Sequence, residues 1–196
     1  MPTLVVPFRG AGAKSRLEPL GTDAQAVLAH AMLADVLAAA HALGPVIVVA
    51  PEPVDEAALH VPDRGRGQGA AVVAGLAAAV ASGGPAPYVV ANADLPCVTP
   101  RDLLALAGAV PPGGLALTAA ADGTTNALAL ASADLFEPLY GPGSAERFAG
   151  LAPSRMVDAP NLSCDVDTVA DLARLASRVG PHTRRALAAL RVEAAA

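Results

Sequence analysis

An α/β fold, with a mostly parallel sheet and helices on both of its faces, is the class that this 196-residue sequence predicts. Three observations lead there. Short runs that are apolar throughout recur along the chain, longer alanine-rich stretches of helical character alternate with them, and cap or stop residues stand at the joints. Leu4-Val5-Val6 comes first, apolar on every residue as a strand covered on both sides should be. Thr22 or Asp23 can cap the helix that follows, with Val27, Leu33, Val36, Leu37 and Ala40 on its inner face and Gly44 as its stop. Val46-Ile47-Val48-Val49 is the next strand. A helix from about Gln68 to Ala81 then leads into a third, Tyr88-Val89-Val90. Thr99-Pro100-Arg101-Asp102 combines an N-cap, a first-turn proline and an acidic third position, so a helix starts there. Beyond Pro111-Pro112-Gly113-Gly114, residues 115–119 and 127–130 read as strands around an Asp122-Gly123 turn. Helices are expected from Ser144, from Thr168 with Asp171 closing a capping box, and from Pro181. No repeat and no long linker interrupts the pattern, so residues 1–196 are expected to form one domain.

Composition removes several function classes. Apolar residues make up 54 % and charged residues 16 %, which excludes a disordered chain. Alanine fills 48 positions and arginine supplies 12 of the 13 basic residues, so much of this bias reports a GC-rich genome. The net charge is −5, and no basic cluster exceeds Arg184-Arg185. Two Tyr, three Phe and no Trp leave little to stack on bases, so nucleic acid is not an expected partner. Cys97 and Cys164 cannot make a disulfide framework or a four-ligand zinc site, and they read as small apolar residues. The N-terminus lacks a basic leader. The uncharged stretch 67–93 is broken by Gly83-Gly84-Pro85, too early for a membrane span. A cytoplasmic location is expected. The four histidines are scattered, His30 and His41 are expected to face solvent, and no Ser–His–Asp arrangement is visible.

Four segments can carry chemistry. Arg9-Gly10-Ala11-Gly12-Ala13-Lys14-Ser15-Arg16 directly follows the first strand, and its small residues let backbone N–H groups approach an anion. Lys14 is the single lysine of the chain. Neither the P-loop nor the dinucleotide-binding glycine pattern is met, so an ordinary surface loop is an equal reading. Asp94 ends the run Asn92-Ala93-Asp94 at the carboxyl end of a strand, where open α/β sheets bind ligands. Asp165 and Asp167 would point to one side if that segment is extended, and with Asp94 they offer three oxygens for magnesium. Taken alone, the pair reads slightly better as a solvated acidic turn ahead of a helix. Gly123-Thr124-Thr125-Asn126 and Gly141-Pro142-Gly143-Ser144 are small, hydroxyl-bearing turns, and Ser144 would present free N–H groups at a helix start.

In their order along the chain, Ala13-Lys14-Ser15-Arg16-Leu17, Asn92-Ala93-Asp94-Leu95-Pro96, Gly123-Thr124-Thr125-Asn126-Ala127-Leu128, Gly141-Pro142-Gly143-Ser144 and Asp165-Val166-Asp167-Thr168 resemble the 2-phospholactate or phosphoenolpyruvate guanylyltransferases of coenzyme F-420 biosynthesis. The resemblance spans residues 3–176. It implies a Rossmann-like nucleotidyltransferase sheet of the GT-A kind and transfer of GMP from GTP to a phosphorylated three-carbon acid. Asp94, Asp165 and Asp167 would hold magnesium. Thr125, Gly141 and Ser144 would bind the acceptor, phosphoenolpyruvate or 2-phospholactate. Arg9, Gly10, Gly12, Lys14, Ser15, Gly67 and Gln68 would bind GTP, with Lys14, Arg16 and Asp94 catalytic. Members of the family usually carry Lys where Arg9 stands and often Asn where Gly69 stands. Alternatives are another nucleotidyltransferase, of molybdopterin or sugar-phosphate type, and a nucleotide-binding module without turnover.

Overall fold

The structure is a computed structural model that describes residues 1–10 and 20–193, with side chains up to residue 190. Strand and helix alternate as expected: β1 (Thr3–Pro7), α1 (Thr22–His41), β2 (Val46–Ala50), β3 (Leu59–Pro62), α2 (Gln68–Ala81), β4 (Tyr88–Ala91), α3 (Pro100–Gly108), β5 (Leu115–Ala119), β6 (Thr125–Leu130), α4 (Ser144–Ala149), β7 (Ser154–Met156), α5 (Val169–Leu175) and α6 (Pro181–Glu193). The strands join one seven-stranded sheet in the order β3-β2-β1-β4-β6-β5-β7. All neighbours are parallel except where β6 runs against β4 and β5.

Alternation along the strands divides the core between two faces. Leu4 and Val6 of β1, with Val46, Val48, Val89 and Ala91, pack under α1 and α3. Val5, with Ile47, Val49, Val90, Leu128 and Leu130, packs under α2 and α4. These strands are buried at every position and mostly apolar because both faces are covered. A third cluster joins Leu28 and Met32 of α1 to Val166, Leu172, Leu175 and Val179, and it includes Cys97 with Cys164 against it. β3 and β7 were not expected from the sequence. Both are short edge strands, largely exposed, and so lack the apolar signature of the inner ones.

α1 departs from the expectation in two ways. Its N-cap is Gly21, and no side chain caps it, so neither Thr22 nor Asp23 has that role. Val27 lies outside, 47 % exposed, while Leu28, Met32 and Asp35 face inward, because α1 has a second neighbour, α6, that turns another of its faces inward. Of the two histidines, His30 is exposed with its ring edge against Phe8, and His41 is half-buried with Nε2 2.7 Å from Asp55 Oδ2. α1 is long and apolar enough to cross a membrane by composition, but half of its most apolar window is buried inside the fold, as in a core helix. The caps of α3 and α5 are as expected. Thr99 with Asp102, and Thr168 with Asp171, each form a complete capping box.

β1 and β4 lie side by side at the centre of the sheet. The chain leaves β1 toward β2 on one side and returns from β3 to β4 on the other. The strand order therefore reverses between β1 and β4, which opens a crevice at their carboxyl ends.

Candidate active site at the carboxyl ends of β1 and β4

One wall of this crevice carries cationic and backbone donors. β1 pairing continues through Phe8, whose N–H donates to Val49 O at 2.8 Å, and delivers Arg9 and Gly10 to the rim. Gly12, Lys14, Ser15 and Arg16, expected to follow in the same role, lie outside the described residues. Gly67 stands at the N-cap of α2 with φ +96°, a conformation that favours glycine. Arg9 Nη2 is 3.6 Å from where a Cβ on Gly67 would stand, so two residues 58 positions apart meet here. No side chain caps α2 and no acidic residue lies in its first turn. Its dipole and the Arg9 guanidinium thus favour an anion at the same place. Gly69, in the first turn of α2, is in close contact with Pro138, since a Cβ there would stand 2.5 Å from the Pro138 ring. An Asn at this position has no room beside Pro138.

The other wall carries carboxylates, held by an amide run. Asn92, just beyond β4, donates its N–H to Asn126 O at 3.0 Å, and its Nδ2 donates to Thr125 O at 3.3 Å. Gln68 Nε2 donates to Asn92 Oδ1 at 2.7 Å, which ties the start of α2 to the end of β4. Two residues on, Asp94 accepts at its backbone oxygen from Val166 N–H at 3.1 Å. This bond brings segment 163–167 alongside Asp94. Asp165 Oδ1 then accepts from Asn126 Nδ2 at 3.2 Å. Burial pushes the Asp165 carboxyl above its ordinary range against the Asn126 hydrogen bond. The charge of Asp94 adds to the rise, and that of Asp167 adds less.

The expected convergence of three aspartates is not formed. Among the described residues no three His, Cys, Asp or Glu side chains gather closely enough to hold a metal. Asp165–Asp167 is not a strand, so period-two alternation does not align its side chains. The Asp167 N–H donates instead to Asp171 Oδ2, as the chain turns into the α5 capping box. Asp94 and Asp165 remain as neighbours whose charges repel. Two hard oxygen donors in that state fit a divalent cation such as magnesium, which needs one or two carboxylates and takes its other oxygens from water and substrate.

The hydroxyl-bearing turns also come together. Thr125 and Ser144 are buried, and their hydroxyl oxygens are 3.1 Å apart in hydrogen-bond contact. The free N–H groups expected at Ser144 are already used: Ser144 donates to Gly141 O at 3.0 Å and Ala145 to Gly123 O at 3.2 Å. These bonds dock the β5–β6 turn onto the start of α4, so Ser144 holds the loop from inside. Arg147, which the sequence did not single out, donates from Nη1 to Pro142 O at 2.6 Å and from Nη2 to Leu139 O at 2.8 Å. It clamps the segment that carries Gly141. Asn126 was likewise only part of a quoted motif. An amide at the start of an otherwise apolar strand, directly after Thr125, was the one signal that could have marked it.

Comparisons with known proteins show the family and the fold. The MobA-like NTP transferase domain matches residues 19–151. A phosphoenolpyruvate guanylyltransferase of Geodermatophilus obscurus is 38 % identical over 189 residues, covering 87 % of this chain and 86 % of its own. One from Streptomyces scabiei is 38 % identical and covers 96 % of both chains. A nucleotidyl transferase from Methanothermobacter superposes with a TM-score of 0.64 at 19 % identity over 94 % of this chain and 98 % of its own. A Mycobacterium tuberculosis protein solved in complex with manganese gives 0.55 at 19 % identity over 91 % and 98 %. These two structures share the fold. The chain has the MobA-like NTP transferase domain and belongs to the phosphoenolpyruvate guanylyltransferase family.

Proposed function

We propose that the chain transfers GMP from GTP to phosphoenolpyruvate and releases pyrophosphate. The observation that carries this is the Gln68–Asn92 hydrogen bond, which ties the open start of α2 beside Arg9 to the chain two residues before Asp94, in a chain whose relatives bear that activity as their name. An oxygen of the acceptor phosphate attacks the α-phosphorus, the bond to the β-phosphate oxygen breaks, and pyrophosphate leaves with the electron pair. The attacking oxygen is already ionised near neutral pH, so no general base is needed. That is consistent with a site built without histidine.

Arg9, Gly10, Gly67 and Gln68 bind the nucleotide. Gly12, Lys14, Ser15 and Arg16 complete that set, with Lys14 and Arg16 meeting the charge that grows on pyrophosphate. Gly141, supported by Thr125 and Ser144, orients the acceptor and supplies proximity. Asp94 and Asp165 would hold magnesium, with Asp167 as the third donor that the family resemblance calls for. When bound, the ion neutralises phosphate charge. The manganese complex of the mycobacterial structure supports a divalent cation in this fold. The reaction belongs in the cytoplasm, and its product is a precursor suited to coenzyme F-420.

Mass spectrometry after incubation with GTP, magnesium and either phosphoenolpyruvate or 2-phospholactate tests the reading. A guanylylated phosphoenolpyruvate with equimolar pyrophosphate is expected. Pyrophosphate released only with a molybdopterin or sugar-phosphate acceptor would overturn the acceptor. GTP binding without pyrophosphate under any acceptor would overturn the enzyme.

A further inference from the structure

Asn126 is the polar residue that crosses from the sheet to the carboxylates. It is 2 % exposed, the second residue of β6, directly ahead of the apolar run 127–130. Its Nδ2 donates twice, to Leu162 O at 3.0 Å and to Asp165 Oδ1 at 3.2 Å. Both partners are acceptors, so the amide can stand in one orientation only, since a flipped Asn would set its oxygen against a carbonyl and a carboxylate. Leu162 is itself fully buried in the core under α1 and α3. The amide thus grips the 162–165 segment at two points, one backbone and one side chain. On the sheet side it is equally fixed. Asn126 O accepts from the Asn92 N–H, and Asn92 accepts from Gln68 at the start of α2. A continuous run of hydrogen bonds therefore leads from Gln68 to Asp165.

We propose that Asn126 is a positioning residue for the metal site: it holds Asp165 beside Asp94 in the orientation that receives a divalent cation. The inference rests on the metal reading given above. This amide ties Asp165 directly to β6. Its own segment has no regular structure, and the charge of Asp94 repels it. Without the amide, the carboxylate would be free to rotate away from Asp94. Residues that orient metal ligands in this way commonly contribute about ten- to a hundredfold in metal affinity.

Manganese titration of the nucleotide-free protein, followed by electron paramagnetic resonance of the free ion, tests this without reference to turnover. Asn126→Ala is expected to weaken Mn2+ binding by about ten- to a hundredfold, and Asp165→Ala by at least as much. A thermal melt in chelator establishes that each variant is folded. If Asn126→Ala is not, Asn126→Ser replaces it, because its hydroxyl keeps one donor. Excess Mn2+ should restore kcat to the folded Asn126 variant, a rescue that a merely structural lesion would not show. Weakened binding by Asp165→Ala with wild-type affinity in the Asn126 variant would overturn the positioning role and leave the metal site standing. Unchanged affinity in both variants would overturn the metal site and the positioning role together.

Discussion

Two aspartates of this protein show how environment decides what a carboxylate does. Asp165 is buried, is bonded by one amide and stands beside another acid, so its carboxyl is pushed up. Asp171 is held down to about 2. Burial, the largest single effect, pushes the other way and is outweighed by the sum of hydrogen bonds from Arg174, from the Thr168 hydroxyl and from the backbone N–H groups of Thr168 and Asp167. The first arrangement suits a site that binds a cation, and the second suits a cap. The sign follows directly. A carboxyl whose folded pKa lies below its ordinary value adds stability above that ordinary value and loses it as pH falls toward the folded one. Asp171→Asn should therefore be less stable than the parent at pH 6, by about 1 kcal/mol as for other lost caps. The difference should vanish between about pH 4 and pH 2, as denaturant melts across that range would show. Asp94→Ala has the opposite profile. It should abolish pyrophosphate release while leaving the melting temperature near that of the parent, and normal turnover in that variant would remove Asp94 from the chemistry.

Between elements, the contacts that matter are long-range caps and clamps. α6 begins at Gly180-Pro181, and the two carboxylate oxygens of Asp35, in the middle of α1, accept from the N–H groups of His182 and Thr183 at 2.9 Å. Asp35 is thus the cap of a helix 147 residues away. Gly180 must be glycine for this, because a Cβ would stand 2.4 Å from the Asp35 carboxyl. Asp35→Ala should cost about 2 kcal/mol, at the upper end for lost N-caps, because the donors it leaves behind are buried. Urea denaturation would measure it. The Arg147 clamp acts on function instead. Arg147→Ala should raise the KM for phosphoenolpyruvate several-fold and leave the KM for GTP unchanged, because it releases only the 139–143 segment. An equal rise in both constants would mean that the clamp serves the whole fold.

At the scale of the molecule, one sheet serves both faces, and every strand of its centre contributes alternately to two clusters. Such a core gives no place to divide. Unfolding followed by far-UV circular dichroism and by the fluorescence of Tyr88 and Tyr140, which both lie on the α2 and α4 face, should give coincident transitions. Two separated transitions would mean that the α5–α6 layer, which docks on α1 through its own cluster, melts as a second unit. Phe148, fully buried beneath α4, is where a truncation to Ala should be felt most, at about 3–5 kcal/mol.

Local physics made much of this readable from the residues in order. Apolar runs buried on both faces announce inner strands, and the boxes at Thr99–Asp102 and Thr168–Asp171 announce helix starts, because each depends on residues within one turn of one another. Asp94 was legible for the same reason, as an acid where a buried strand ends. The edge strands, the inner face of α1, the bond of the Asp167 N–H into the α5 capping box, and the contacts of Asn126, Arg147 and Asp35 were not. Each depends on a partner remote in the chain or on a neighbour that covers one face. A linear pattern records what a residue prefers, whereas packing chooses which of its possible partners arrives. Here the chain's own chemistry established the class of fold and offered the candidate acids, and the closing of the sheet around Asn126 decided that Asp165 is the one held by its amide.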